Sequence, residues 1–527
     1  MRKYIINTTD ELNRIFKDCK NDTVVTIPQG EYYIDMDIDE CFVFEGIRNL
    51  SIHAEGVTLY FRGITKPIIF RDCENLEVTG LKLDYFELPY THGVIGENDG
   101  KSFMVTLLED NADRIKDIQA FTEYDQNTLA PRECGNDIYW DCRTIEKVDE
   151  TNIRVEFGNQ HQLSPEGTLV VLRHIIYGYD GITLFNCRFI RLTGVSIFCA
   201  TGMGICGYNS ENLYFSGIHI APPKGSKRLM STTGDGIHLM NCTGEVVVED
   251  SYFAYLGDDS FNSHGMFLKV FEKDGCLLKA RHPKGYNLLP ESGDIMEHTR
   301  AGVMTAYGSS IVKTVSLEED YVLLEMVNVE GKEIETGDYL ANATRNIKLL
   351  YRNNRVENKR CRGILVQTRN AVIDNNVFSN VAGGAILVYT EDFGFWESIG
   401  TRDILITNNE MLCNNHALGR CQADISVVSY TEGYKLGGKG VHKGISICSN
   451  SIRKTPGNGI YIACAEDIVI ENNYIECRES GIKIERSSNI EITANEIVTH
   501  KDYYEILCDC HDINIKGDIY YKHLPRA

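Results

Sequence analysis

A short unit recurs along this chain every 22–23 residues, and that repeat limits the fold more than any other feature of the sequence. Alternating, strand-like runs that end in a small or polar turn residue return as "FIRLTGVSI", "NLYFSGIHI", "EVVVEDSYF", "AVIDNNVF", "ILITNNEM", "ISICSNSI", "IVIENNYI", "IEITANEI" and "INIKGDIY". Gly194, Gly217 and Asp250 share one register, at intervals of 23 and 33. Asn376, Asn409, Asn450, Asn473, Asn495 and Asp518 share another, at 33, 41, 23, 22 and 23. The longer intervals read as single coils that carry a loop. A period of this length with strict alternation fits one turn of a right-handed parallel β-helix, three short strands joined by three turns. One coil cannot bury its inward face alone, so stacked coils must share a core, and asparagines at a fixed turn should stack as a hydrogen-bonded ladder. Leucine-rich repeats have a similar period but need Leu at fixed positions, and those are missing here. The expected fold is all-β, a right-handed parallel β-helix of roughly ten or more coils.

Two stretches break the period. Residues 101–174, with "SFMVTLLED", "TNIRVEFG" and "GTLVVLRH", and residues 266–348, with "MFLKVFEKDGCLLKARHP" and "SSIVKTVSLEEDYVLLEMV", read as antiparallel hairpins with Gly and Asp turns. They predict two inserted β-barrel modules. The chain then divides into an N-terminal cap with the first coils (1–100), a module (101–174), central coils (175–265), a second module (266–348) and C-terminal coils (349–527). Modules that flank one group of coils form the walls of a cleft, because loops on a rigid scaffold carry function.

The central coils hold the chemistry. Gly257-Asp258, in "LGDDSFNSHG", follows Gly234-Asp235, in "STTGDGIHLMN", by 23 residues. One coil separates them, which puts both motifs in one column on adjacent rungs about 4.8 Å apart. Down the column stand Met203 and Asp180; above it, with a slip of one residue, stands Arg362. A structural ladder would use Asn or Ser. Stacked like charges destabilise a fold and raise at least one pKa, which is the condition a protonated general acid needs. Carboxyls leaving adjacent rungs can lie about 5 to 9 Å apart, a span that includes both glycosidase geometries. Asp235, Asp258 and Asp259 are therefore the candidate catalytic residues. Asp180, His264 and Arg362 are candidate substrate contacts, with a turn histidine and a plain ion pair as the competing readings of the last two. Trp396 and Glu397, on a loop of the coil after Arg362, suggest a sugar-stacking platform, against a buried loop anchor.

Composition narrows the partners. With 53 Lys and Arg against 75 Asp and Glu, the net charge of -22 argues against nucleic acid or an anionic membrane, and mildly against a polyanionic substrate. No run approaches 18 apolar residues, and the first residues lack the apolar core and cleavage site of a secretory signal. A cytoplasmic location is expected, or a secreted one if a leader has been removed. The 18 cysteines lie mostly in apolar runs such as "SIFCATGMGIC" and read as buried free thiols in a reducing compartment. No His/Cys cluster has transition-metal spacing, and hydrolysis divided between one acid and one base needs no metal, so no cofactor is expected. Besides a glycan substrate, a homo-oligomer is the one partner this reading leaves open.

The string "STTGDGIHLMNCTGEVVVEDSYFAYLGDDSFNSHG" resembles the core of the parallel β-helix α-1,3-galactosidases, glycoside hydrolase family 110. The likeness runs through "CATGMGICGYNSENLYFSGIHI" and "RCRGILVQTRNAVIDNNVFSN" to "FWESIGTRDILITNN", over residues 175–265 and 350–410. The resemblance implies an inverting hydrolysis of terminal α-linked galactose, α-1,3 foremost. It makes Asp235 the general acid, and Asp258 with Asp259 the pair that activates water. The chain has "DGIH" where the family more often has "DATH", which leaves the pocket for the leaving sugar open. Polygalacturonases share the fold and a three-aspartate centre but also need Gly-His-Gly and Arg-x-Lys motifs that this chain lacks. A polygalacturonase-like hydrolase, a β-helix lyase with Ca²⁺-binding aspartates and an arginine base, and a non-catalytic glycan-binding β-helix stay as alternatives.

Overall fold

The computed structural model describes residues 2–5, 8–35, 39–108, 112–282, 289–417 and 423–522. Three parallel sheets run along the chain. The first has 14 strands, from Arg2–Ile5 to His511–Lys516, and the second 13, from Gly30–Ile34 to Ile519–Lys522. The third runs from Glu40–Glu45 to Tyr504–Ile506. Successive coils each add a strand to every sheet, which is the winding the repeat predicts. Inward side chains stack in register: Ile404, Ile445, Ile468 and Ile490 pair from rung to rung and lie in one continuous core. Burying each such side chain stabilises the fold by roughly 1.5–3 kcal/mol.

The turn that follows the first-sheet strands explains the recurring "NN" and "TG" pairs. Gly194, Gly217, Asp250, Asn353, Asn375, Asn408 and Asn472 all occupy it with φ between 52° and 63°, a region favourable to Gly and tolerated by Asn and Asp. The next residue along forms the ladder. Asn354, Asn376, Asn409, Asn450, Asn473 and Asn495 are buried, and from Asn354 to Asn473 each amide nitrogen donates to the next asparagine oxygen at 2.9–3.1 Å. The two registers seen in the sequence are thus neighbouring columns of a single turn.

At the N-terminal end the helix Thr9–Lys17, capped by Thr8, buries Leu12 and Phe16, and Phe16 packs edge-on against Phe42 and Phe44. Among the described residues no helix is long and apolar enough to cross a membrane. The described cysteines are free thiols, most of them buried, though Cys276 and Cys508 are exposed; Cys421 lies outside the described residues.

Both insertions are antiparallel. The first begins at Tyr90, earlier than residue 101, because the strand Tyr90–Asn98 pairs with Ser102–Leu107 and with Leu169–Arg173 and not with a coil. It is a seven-stranded sheet wrapped on a core that includes Phe103, Phe121 and Phe157. Its end strands, Asp137–Tyr139 and Cys142–Lys147, adjoin in sequence but share no ladder among the described residues. The second insertion closes. Its six strands run in the order Phe261–Asp274, Leu277–Arg281, Tyr321–Gly331, Ala306–Glu318, Ile295–Thr299 and Tyr339–Asn342, and the last pairs back with the first. Phe261–Asp274 belongs to both units: it starts as a rung of the third sheet beside Ile237–Met240 and continues into the barrel.

Candidate active site

The third sheet forms the floor of a cavity of about 1330 Å³, lined by residues of nine successive coils, from Glu40 to Tyr434, and by the segment 391–397. Pairing there fixes the column. Ile182, Ile205, Ile237, Phe261 and Ile364 are register partners, so the residues two places earlier are Asp180, Met203, Asp235, Asp259 and Arg362. This corrects the sequence-based alignment of Asp258 with Asp235. The coil is 24 residues long at this point, Asp259 holds the column position, and Arg362 follows without a slip. The recurrence of Gly-Asp is what misled the alignment. Asp258 sits one residue off the column, shares Arg362 with Asp259, and has Tyr177 and Arg360 as partners of its own.

Each carboxylate has its own surroundings. Asp259, 1% exposed, accepts two parallel bonds from Arg362, Nε to Oδ1 and Nη2 to Oδ2, both at 2.8 Å. Burial pushes its carboxyl up to about 6 despite Arg362, and the charges of Asp258 and Asp235 add to the rise. Asp258 accepts the Tyr177 hydroxyl on Oδ2, while Oδ1 stands 3.4 Å from Arg360 and 3.6 Å from Arg362. Burial opposes its charge, but the two guanidinium groups outweigh that and hold it well below the usual carboxylate range. Its Oδ1 accepts no hydrogen bond and, like the buried Oδ1 of Asn262, belongs to a residue that lines the cavity. Asp235, 4% exposed, takes the Asp259 backbone N–H on Oδ1 at 2.9 Å and meets His238 Nδ1 through Oδ2 at 2.6 Å. Burial raises Asp180, farther along the cavity, to about 6.

The first insertion holds this turn in place. Its Tyr139 lies between two guanidinium groups, Arg173 at 4.6 Å and Arg360 at 4.4 Å from the ring centre. Arg173, Arg360 and Tyr139 all donate to the carbonyl of Gly257, and Asp137 pairs with Arg360 at 3.0 Å. Gly257 is required: a Cβ there would lie 2.3 Å from the Thr233 carbonyl oxygen. The second insertion sets His264 and Glu397. Gly265 pairs with Ser398 and Met266 with Glu397, and a Cβ on Gly265 would lie 2.7 Å from Ser398 Oγ. Glu397 consequently reaches His264 at 3.5 Å and accepts a bond from Gln367 at 2.6 Å.

Residues 340–519 match the family described as right-handed β-helix region. An α-1,3-galactosidase B of Bacteroides thetaiotaomicron is 25% identical over 414 residues, spanning 73% of this chain and 67% of its own. An α-1,3-galactosidase A of Bacteroides fragilis is 25% identical over 525 residues, spanning 89% and 84%. The chain is related to the α-1,3-galactosidase family of β-helix proteins. An α-1,3-galactosidase B of Akkermansia muciniphila is 23% identical over 91% of this chain and 63% of its own. Among solved structures, the catalytic domain of a GH87 α-1,3-glucanase in complex with nigerose aligns over 98% of this chain and 68% of its own, with 10% identity and a TM-score of 0.47.

Relative to the residues singled out in the sequence, Asp180, Asp235, Asp258, Asp259, His264, Arg362 and Glu397 come together on the cavity wall. Trp396 does not. It packs against the cluster of Phe267 and Tyr339, with its ring edge-on to His282, and is a loop anchor and not a platform. The exposed rings at that end of the cavity belong to Phe395 and Tyr434. Tyr177, His238 and Arg360 were not singled out. His238 follows Asp235 by three residues on a strand whose next rung bears Asn262, a local signal that strand pairing would have exposed. Arg360 and Tyr177 reach Asp258 across 102 and 81 residues of sequence, where no local signal exists. An arginine base, as the lyase alternative needs, is not favoured. Burial works against the Arg362 charge, yet Asp259 and Asp258 hold its pKa well above the ordinary guanidinium value.

Proposed function

We propose that this protein is an exo-acting, inverting glycoside hydrolase that releases terminal α-linked galactose, α-1,3-linked foremost. The sugar and linkage come from the relatives named α-1,3-galactosidases. The mechanism rests chiefly on one observation: Asp258, a buried residue of the cavity wall, has its Oδ1 flanked by Arg360 at 3.4 Å and Arg362 at 3.6 Å and paired with no hydrogen-bond donor. A water that donates there and to Asp259 is oriented and deprotonated for attack on C1. Asp235, one rung toward the N-terminus, protonates the leaving oxygen on the opposite side of the sugar. The leaving sugar then lies over Met203 and Tyr208, on the coil that precedes Asp235. Exo action fits a cavity whose wall includes the 391–397 segment, which the barrel grips through Gly265–Ser398 and through the Gly302 N–H on Asp392.

A panel of α-galactosyl oligosaccharides, branched and linear, tests the substrate class. Galactose should be released one residue at a time from non-reducing ends, with α-1,3 linkages cut fastest. Release from none of them would end the assignment to galactosides.

A further inference from the structure

A chain of four buried groups starts at Asp235 and does not require substrate. Asp235 Oδ2 lies 2.6 Å from His238 Nδ1, His238 Nε2 lies 3.0 Å from His264 Nε2, and His264 Nδ1 lies 2.7 Å from the carbonyl oxygen of Gly265. That carbonyl can only accept, so His264 Nδ1 carries a hydrogen. If His264 is neutral, its Nε2 is a lone pair and His238 Nε2 must be the donor. The Asp235–His238 contact then holds one proton, either on Oδ2 or on Nδ1 of an imidazolium. Without that proton, a carboxylate oxygen would face a ring lone pair at 2.6 Å. The other neutral tautomer of His238 avoids this only by setting two Nε2 lone pairs face to face at 3.0 Å, which in turn demands a proton on His264. Every satisfied arrangement of the chain therefore carries the same extra proton.

We propose that His264, acting through His238, is a tautomer lock that keeps a transferable proton on Asp235. This rests on the reading of Asp235 as the general acid. His238 is faced by Asp235 from its own turn, Asp180 from the preceding coils, His264 from the next rung and Glu397 from the loop, with Arg362 near Glu397. Burial alone would lower His238, but the bond to Asp235 and the charges of Asp235, Glu397 and Asp180 raise it. Burial lowers His264, against the pull of Glu397, and so favours its neutral form. In turnover the proton passes from Asp235 to the glycosidic oxygen as the C1–O bond breaks, while the attacking water gives its proton to the aspartate pair. The chain is left with opposed lone pairs, which raises its proton affinity until it regains a proton from water in the cavity. Both His238 and His264 line that cavity. The net reaction consumes one water and no proton.

Two measurements test the lock. In His264→Leu and His264→Gln, hydrolysis of an α-galactosyl disaccharide should fall by about 10²-fold or more, while an aryl α-galactoside with a good leaving group should fall less than about tenfold. The basic limb of kcat/KM should move down by about one pH unit or more, since His238 is free to adopt the Nδ1–H tautomer. Glutamine restores volume and a hydrogen bond but can serve either tautomer, so it should not rescue. Equal losses on both substrates with an unmoved basic limb would make His264 a binding residue and overturn the proposal. Histidine ring ¹⁵N spectra of the wild-type protein, which need neither a variant nor substrate, should show His238 protonated on Nε2. A neutral Nδ1–H His238 beside a neutral His264 would overturn the lock even in an enzyme that releases galactose, and so separates its failure from that of the assigned reaction.

Discussion

Asp235→Asn is expected to cut hydrolysis of an α-galactosyl disaccharide by about 10²–10⁴-fold while sparing most of the activity on an aryl α-galactoside whose leaving group departs as a stable anion. A sugar alkoxide is a poor leaving group and needs a proton as the bond breaks; a nitrophenolate does not. The substitution keeps the shape and the bond from the Asp259 N–H, because the asparagine oxygen can still accept it. The loss therefore reads proton donation and little else. Asp258→Asn and Asp259→Asn should behave differently. Each removes a partner of the attacking water, and water is needed whatever the leaving group, so both substrates should suffer together. Side-by-side kcat/KM values for the two substrates in the three variants check this, and a leaving-group effect at Asp258 or Asp259 instead of Asp235 would reverse the assignment of acid and base.

Arg362→Met should have the second large effect. Asp259 is buried, and its two oxygens are bridged by one guanidinium at 2.8 Å. Removing one partner of such a pair leaves an uncompensated buried charge, at a cost of about 3–5 kcal/mol that a denaturant melt would show. Activity should change in a defined direction as well. Asp259 is already raised to about 6 with Arg362 present. Without the arginine it rises further, and since the base works only when ionised, the acid limb of kcat/KM moves to higher pH. Arg362→Lys should not restore the wild-type profile, because an ammonium cannot bridge both oxygens. An unmoved acid limb would mean that Asp259 does not act as a base.

The repeat carried most of the fold in plain view. Inward isoleucines, the left-handed turn and the asparagine ladder are all imposed by one coil packing on the next, so they recur in the sequence at the coil spacing. The carboxylate column was visible for the same reason. Its register was not, because the motif Gly-Asp recurs at 23 residues while the strands pair at 24. The start of the first insertion was hidden because Tyr90–Asn98, buried on both faces over its first residues, carries no alternation that separates a coil strand from a hairpin strand. What completes the site could not be read locally. Tyr177, Asp137, Tyr139 and Arg360 come from different units and meet around Gly257 and Asp258 only when the first insertion docks. Trp396 shows the converse: a rare residue on a loop near the cleft invited a role in sugar binding, whereas its ring completes the packing between barrel and coil.

Proton NMR of the reaction in its first minutes, before mutarotation, tests the central claim most directly. A water held by Asp258 and Asp259 on the side of C1 away from Asp235 predicts inversion, with β-galactose as the first product from an α-galactoside. The α-anomer appearing first, or a glycosyl-enzyme trapped on Asp258 or Asp259, would show that the pair supplies a nucleophile and contradict the account.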